Sequence, residues 1–171
     1  MKTVIALFLA LLALPVLAAL PVVSAPAASQ AAMLKSGNPQ LAANKKLVYD
    51  FWRNILVGGH LDQTGKYMAK DYIQHNPNAE TGRDGFLAFF RDVIGLKPIE
   101  VKATIDDLVS LTAEGDLVTL SFVKTYDDPN KRGQKYTTTW FDMFRVADGL
   151  IVEHWDSALM DAGSSTPPPK K

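Results

Sequence analysis

No cysteine occurs in the 171-residue chain. A disulfide framework, a Cys-based zinc site, a thiol nucleophile and a lipidated cysteine are therefore excluded. An excess of either charge is also lacking: 18 Lys and Arg balance 18 Asp and Glu. No basic surplus is left to neutralise phosphates, which removes the electrostatic basis for nucleic-acid binding. The Gly-x-Ser-x-Gly elbow, the phosphate loop, the dinucleotide glycine fingerprint and the His-Glu-x-x-His metal motif are missing, as are internal repeats. What is present suits one soluble domain: 47% hydrophobic and 21% charged residues over a length that holds a single core.

Long apolar runs are confined to the start. Lys2 precedes a nearly unbroken apolar stretch to Leu20, followed by Val23-Ser24-Ala25 and Ala25-Pro26-Ala27. This charged, apolar, small-residue order predicts a secretory signal peptide over residues 1–27. Pro26 hinders a cut after Ala25, so the expected cut follows Ala27. An uncleaved anchor is the alternative, since the run is long enough to cross a bilayer. With the leader removed, the expectation is a secreted or periplasmic protein that no longer touches a membrane.

Residues 28–37 are rich in Ala, Ser and Gly and predict a flexible lead; residues 161–171 predict a disordered, proline-rich tail. Every Phe, Tyr and Trp beyond Phe8 lies between Tyr49 and Trp155, which places the domain at 38–160. Asn38-Pro39 starts a helix with Val48, Phe51, Trp52, Ile55 and Leu56 on one broad face. A shorter helix is expected over Leu61–Met68, an extended piece over Tyr72–His75, and a third helix over Arg83–Ile94. After Pro98 the period becomes two. Strands are expected over Ile99–Asp106, Leu117–Tyr126, Tyr136–Val146 and Leu150–Ser157. Helices followed by strands give an α+β fold, with helices packed on one face of a curved antiparallel sheet.

The last two strands join through Ala147-Asp148-Gly149. A type I turn with Gly149 left-handed would set Phe144 against Val152, Asp142 against His154 and Trp140 against Asp156. Phe141, Met143, Arg145, Ile151, Glu153 and Trp155 would then occupy the other face. A two-residue turn at Asp148-Gly149 would set Asp142 beside Trp155 instead. Two carboxylates and an imidazole on one aromatic-flanked face suit acid/base chemistry, because a partly desolvated Asp becomes a proton acceptor near neutrality. A satisfied polar network at a sheet edge is the alternative.

The run WFDMFRVADGLIVEHWD resembles the closing hairpin of SnoaL-like proteins in the NTF2-like superfamily. Tyr72-Ile73-Gln74-His75-Asn76-Pro77 resembles the motif that follows that family's second helix. The resemblance covers residues 40–158. It implies a cone-shaped fold in which a strongly bent sheet wraps the helices around an apolar pocket. Its best-known members are polyketide cyclases that close a ring by intramolecular aldol condensation without metal or cofactor. Their acid/base Asp matches Asp156; their pocket His, fourteen positions earlier, is replaced here by Asp142.

The resemblance implies a small apolar ligand and no cofactor. Asp156 would remove a proton next to a carbonyl. His154 or His75 would bond the enolate oxygen or return a proton, and Asp142 would orient an imidazole. Gln74, Asn76 and Tyr72 would give polar contacts, with Phe144, Trp140 and Phe90 as apolar wall. Tyr72 and Phe90 have a second reading as plain core. A metal set of His75, His154 and Asp142 has no local ligand spacing to support it, so no metal is expected. Relatives of this kind commonly form homodimers through the outer sheet face.

Overall fold

A computed structural model describes residues 20–160. Most of the expected leader and all of the expected tail lie outside the described residues. Helix α1 spans Ala27–Met33, α2 Pro39–Phe51 and α3 Arg83–Ala88. Five strands follow the chain as β1 Met68–Gln74, β2 Leu108–Glu114, β3 Leu117–Asp127, β4 Lys135–Ala147 and β5 Leu150–Asp156. They form one curved, unclosed sheet in the order β1-β5-β4-β3-β2. The α+β class is as expected, but the sheet is mixed: β1 runs parallel to β5, and the other pairs are antiparallel. Among the described residues no helix is long and apolar enough to cross a membrane.

Helix α2 begins as its sequence dictates, with the Asn38 side chain accepting from the Gln40 amide at 2.9 Å and Pro39 in the first turn. Its buried face continues past Phe51 into a π-helical turn, Trp52–Val57. Helix α3 likewise ends in a π-helical turn, Phe89–Val93. Such wide turns rotate the following side chains relative to an α-helix. They carry Trp52, Leu56, Phe89 and Phe90, which all border the same cavity. The core between helices and sheet includes Val48, Phe51, Ile55, Met68, Leu120, Phe122, Phe144 and Ile151.

The flexible lead is corrected. Gln30 in α1 is buried, and its amide is saturated: Nε2 donates to the carbonyls of Ala25 (3.0 Å) and Ile105 (2.8 Å), while Oε1 accepts from the Tyr49 hydroxyl (2.7 Å) and the Ile105 amide (3.1 Å). Residues on the leader side of the expected cut also join the domain. The Ala25 amide donates to Leu108 O and the Val22 amide to Thr137 Oγ1, each at 2.7 Å.

The strand expected over Ile99–Asp106 is also corrected. That segment is irregular, and its backbone is satisfied elsewhere: the Ile99 amide by Gly58 O, the Lys102 and Ala103 carbonyls by Arg53, and Ile105 by Gln30. The strand is β2 instead. A register shift between Leu108 and Ser110 breaks its alternation, so the buried Leu108 and Leu111 stand three apart.

The β4–β5 hairpin follows neither expected register along its whole length. Asp148 (φ 50°) and Gly149 (φ 74°) are both left-handed, giving a two-residue turn with Ala147 opposite Leu150. Val146 then faces Ile151, but Arg145 faces Glu153, so Val152 is one residue too many on β5 and bulges. Beyond the bulge Phe144 faces His154 and Asp142 faces Asp156. Asp142, Phe144, His154 and Asp156 therefore share the inner face as expected. Ile151, expected outside, is fully buried in the core. Trp140 is not Asp156's partner; it pairs with Phe122 on β3.

Candidate functional site

Strand β1 brings the two separated motifs together. Gln74 is in register with His154, and Ile73 with Glu153. Alternation along β1 turns Tyr72, Gln74 and Asn76 inward, where all three line a cavity of about 250 Å³. Asp142, His154 and Asp156 complete its polar end; Phe51, Trp52, Phe86, Phe89, Phe90 and Phe144 supply most of its wall. The volume of about 250 Å³ lies just below the usual span for ligand sites, which run roughly 300–1,000 Å³.

Two backbone amides settle the hydrogen positions at the polar end. The Asn76 amide donates to Gln74 Oε1 at 3.0 Å, so that oxygen is an acceptor and Gln74 Nε2 a donor. His154 Nδ1, 2.9 Å from the same oxygen, must carry a hydrogen. His154 Nε2 lies 2.9 Å from Asp142 Oδ1, and one proton sits between them. Asp142 and His154 thus share a proton and as a pair carry no net charge. Likewise the Asn78 amide donates to Asn76 Oδ1 at 2.8 Å, so Asn76 Nδ2 donates to Asp156 Oδ2 at 2.6 Å. Asp156 Oδ1 accepts from the Ala158 amide at 2.9 Å, so both of its oxygens accept, as a carboxylate's do.

Burial pushes the Asp142 carboxyl above the usual carboxylate range; the hydrogen bond and charge of His154 oppose this, and the charge of Asp156 adds to it. Asp142 Oδ2 is buried with no hydrogen-bond partner. Burial, then the charges of Asp156 and Asp142, raises the Tyr72 phenol well above its ordinary value, so it keeps its proton.

Two expected site residues lie elsewhere. His75 follows Gln74 in the alternation and points to the outer face. There its ring stacks on Trp155 (centroids 5.0 Å apart, planes at 6°) and Nε2 bonds Glu153 Oε1 at 2.8 Å. Glu153 also accepts from Arg145 Nε at 2.8 Å, and the two partners hold its carboxyl below the usual range. Trp140 packs against the core but does not line the cavity. The His75-His154-Asp142 metal set is therefore not assembled. Asp142, His154 and Asp156 do offer ligand atoms within 4.8 Å of one another, a donor set that could hold a divalent metal.

Residues not singled out from the sequence as site residues include Phe51, Trp52, Leu56, Ala79, Phe86 and Phe89. The signal for Phe51, Trp52, Phe86 and Phe89 was the aromatic density on two helix faces, which alone does not separate cavity wall from core; Leu56 and Ala79 carried none.

Residues 48–154 match the profile of the SnoaL-like domain. Solved structures with a similar fold include a proposed SnoaL-like polyketide cyclase from Jannaschia sp. CCS1: 19% identity, 72% of this chain, 91% of that chain, TM-score 0.49. A proposed polyketide cyclase from Acidithiobacillus ferrooxidans has 19% identity over 67% of this chain and 86% of that chain, TM-score 0.47. An LEH-like epoxide hydrolase of M. tuberculosis has 18% identity over 69% and 84%, TM-score 0.48. No curated protein matches the chain.

Proposed function

The chain belongs to the SnoaL-like family, and from that premise we propose that it is a cofactor-independent acid/base enzyme acting on a small apolar carbonyl compound. The observation that carries this reading is Asp156. It stands at the polar end of an aromatic cavity, positioned by Asn76 and the Ala158 amide, across from a pair that holds a proton. Asp156 takes a proton from the carbon next to the carbonyl. The electron pair moves into an enolate, which adds to a second carbonyl or takes a proton back. The aromatic wall excludes water and holds the ligand's body.

A non-catalytic binding role is the second reading. It is favoured by His154, whose two ring nitrogens are both engaged by protein groups.

Proton exchange separates the two. Benzyl ketones such as phenylacetone, incubated with the protein in D2O, should gain deuterium at the α-carbon faster than in buffer. Asp156→Asn should abolish the gain and keep the fold. Exchange that survives in Asp156→Asn removes Asp156 as the base. Binding without any exchange establishes the second reading.

We also propose export with removal of the leader, to the periplasm or outside the cell, and a homodimer through the outer sheet face. Phe141, Met143 and Trp155 border a shallow groove there, and Phe141 is 52% exposed. Ile151 no longer belongs to that patch.

A further inference from the structure

A proton stands unspent beside the base. The Tyr72 hydroxyl accepts from Gln74 Nε2 at 2.9 Å, and the amide cannot be turned round, because Gln74 Oε1 is held by the Asn76 amide and by His154 Nδ1–H. The phenol's own hydrogen must point elsewhere, and among the described residues the hydroxyl makes no second hydrogen bond. The residue is 1% exposed and lines the cavity. A buried hydroxyl hydrogen without an acceptor is costly, and such exceptions call for an explanation. His154, assigned this position from the sequence, has both nitrogens spent, and His75 lies outside the cavity. Among the described residues Tyr72 is the one hydroxyl on the cavity wall.

We infer that Tyr72 is a catalytic residue that donates its hydroxyl hydrogen to the ligand's carbonyl oxygen and to the enolate that forms from it. The inference rests on the acid/base reading of Asp156. As Asp156 takes the α-proton, the C–H pair becomes the C=C bond and the carbonyl π pair moves to oxygen, against the Tyr72 hydrogen. No other reactant is consumed. The phenol stays protonated throughout and acts by hydrogen bonding, a contribution of about 10²–10³-fold for one such donor. Gln74 is the positioning residue, because its amide leaves the phenol no other use for the hydrogen.

The test uses 4-nitrophenolate, a flat oxyanion that imitates an enolate. The charged Asp156 of the native protein repels it; Asp156→Asn imitates the state after proton transfer. Asp156→Asn should bind the phenolate at least 10-fold more tightly than the native protein, read from absorbance near 400 nm. Adding Tyr72→Phe should lose at least 10-fold. Equal affinity in the single and double variants overturns the role of Tyr72 and leaves the cavity reading intact. No phenolate binding to Asp156→Asn overturns both. Should the double variant not fold, 13Cζ-labelled tyrosine in Asp156→Asn decides the matter: a buried tyrosine resonance that shifts on binding supports the role, and unmoved tyrosines refute it.

Discussion

Asp142 and Asp156 are direct cross-strand partners on β4 and β5, yet neither bonds the other. Opposed like charges normally destabilise a sheet. The proton shared between Asp142 and His154 removes one of the two charges, and the donors around Asp156 sustain the other.

That relationship predicts a pH dependence of stability. The folded Asp142 carboxyl lies above its ordinary value of 3.8. Its contribution is therefore complete below 3.8 and is lost as pH rises through the raised folded value. Asp142→Asn has no such titration, and its amide can donate to His154 Nε2 in place of the shared proton. The variant should gain on the native protein as pH rises from 3.8. Urea midpoints across that range check it; a native protein that gains instead contradicts the assignment.

Gln74→Leu should release His154. The Asn76 amide and His154 Nδ1–H both lose their acceptor, at a cost of about 1–3 kcal/mol. The 15N shifts of the imidazole should report loss of the Nδ1–H form, and Gln74→Glu, which restores an acceptor, should bring it back.

The N-terminal segment should prove structural. Gln30→Ala strips partners from Tyr49 and from both backbone groups of Ile105, and should cost about 3 kcal/mol. A chain beginning at Ala28 loses the Ala25 contacts. It should be less stable than one beginning at Leu20, by on the order of 2 kcal/mol. Equal urea midpoints would show that residues 20–27 only rest on the domain.

The outer face gives an assembly test. Phe141→Lys sets a charge at the exposed member of the outer-face row of Phe141, Met143 and Trp155. If this row is the dimer interface, light scattering should find a dimer of the native protein and a monomer of the variant, both folded.

The inner face of the hairpin was legible because alternation makes Asp142, Phe144, His154 and Asp156 even-numbered companions whichever even register holds. Its bulge was not legible, since the turn chemistry of Asp148-Gly149 and the facing of His154 point to registers one residue apart. Val152 reconciles them. The strand expected at Ile99–Asp106 misled because its apolar alternation is not matched by burial, with Ile99 exposed and Ile105 buried, and because alternation does not report what the backbone bonds to; Gly58, Arg53 and Gln30 take the place of a neighbouring strand. Gln30 itself carried no signal: one amide in an Ala-rich stretch reads as linker until its four partners, 75 residues away at the furthest, are brought to it. His75 shared the apparent promise of Gln74 and Asn76, and only the parity of β1 separates it from them.

The bulge at Val152 makes the hairpin's tolerance of length change one-sided. Loss of Val152 would erase the bulge and regularise the ladder, with Ile151, His154 and Asp156 still facing inward. Gain of a single residue there would have to be absorbed by a second bulge. Otherwise the phase would flip, putting the indole of Trp155 and the carboxylate of Glu153 into the cavity and the imidazole and Asp156 into solvent. Descendants of this chain should therefore accept deletions at that point far more readily than insertions.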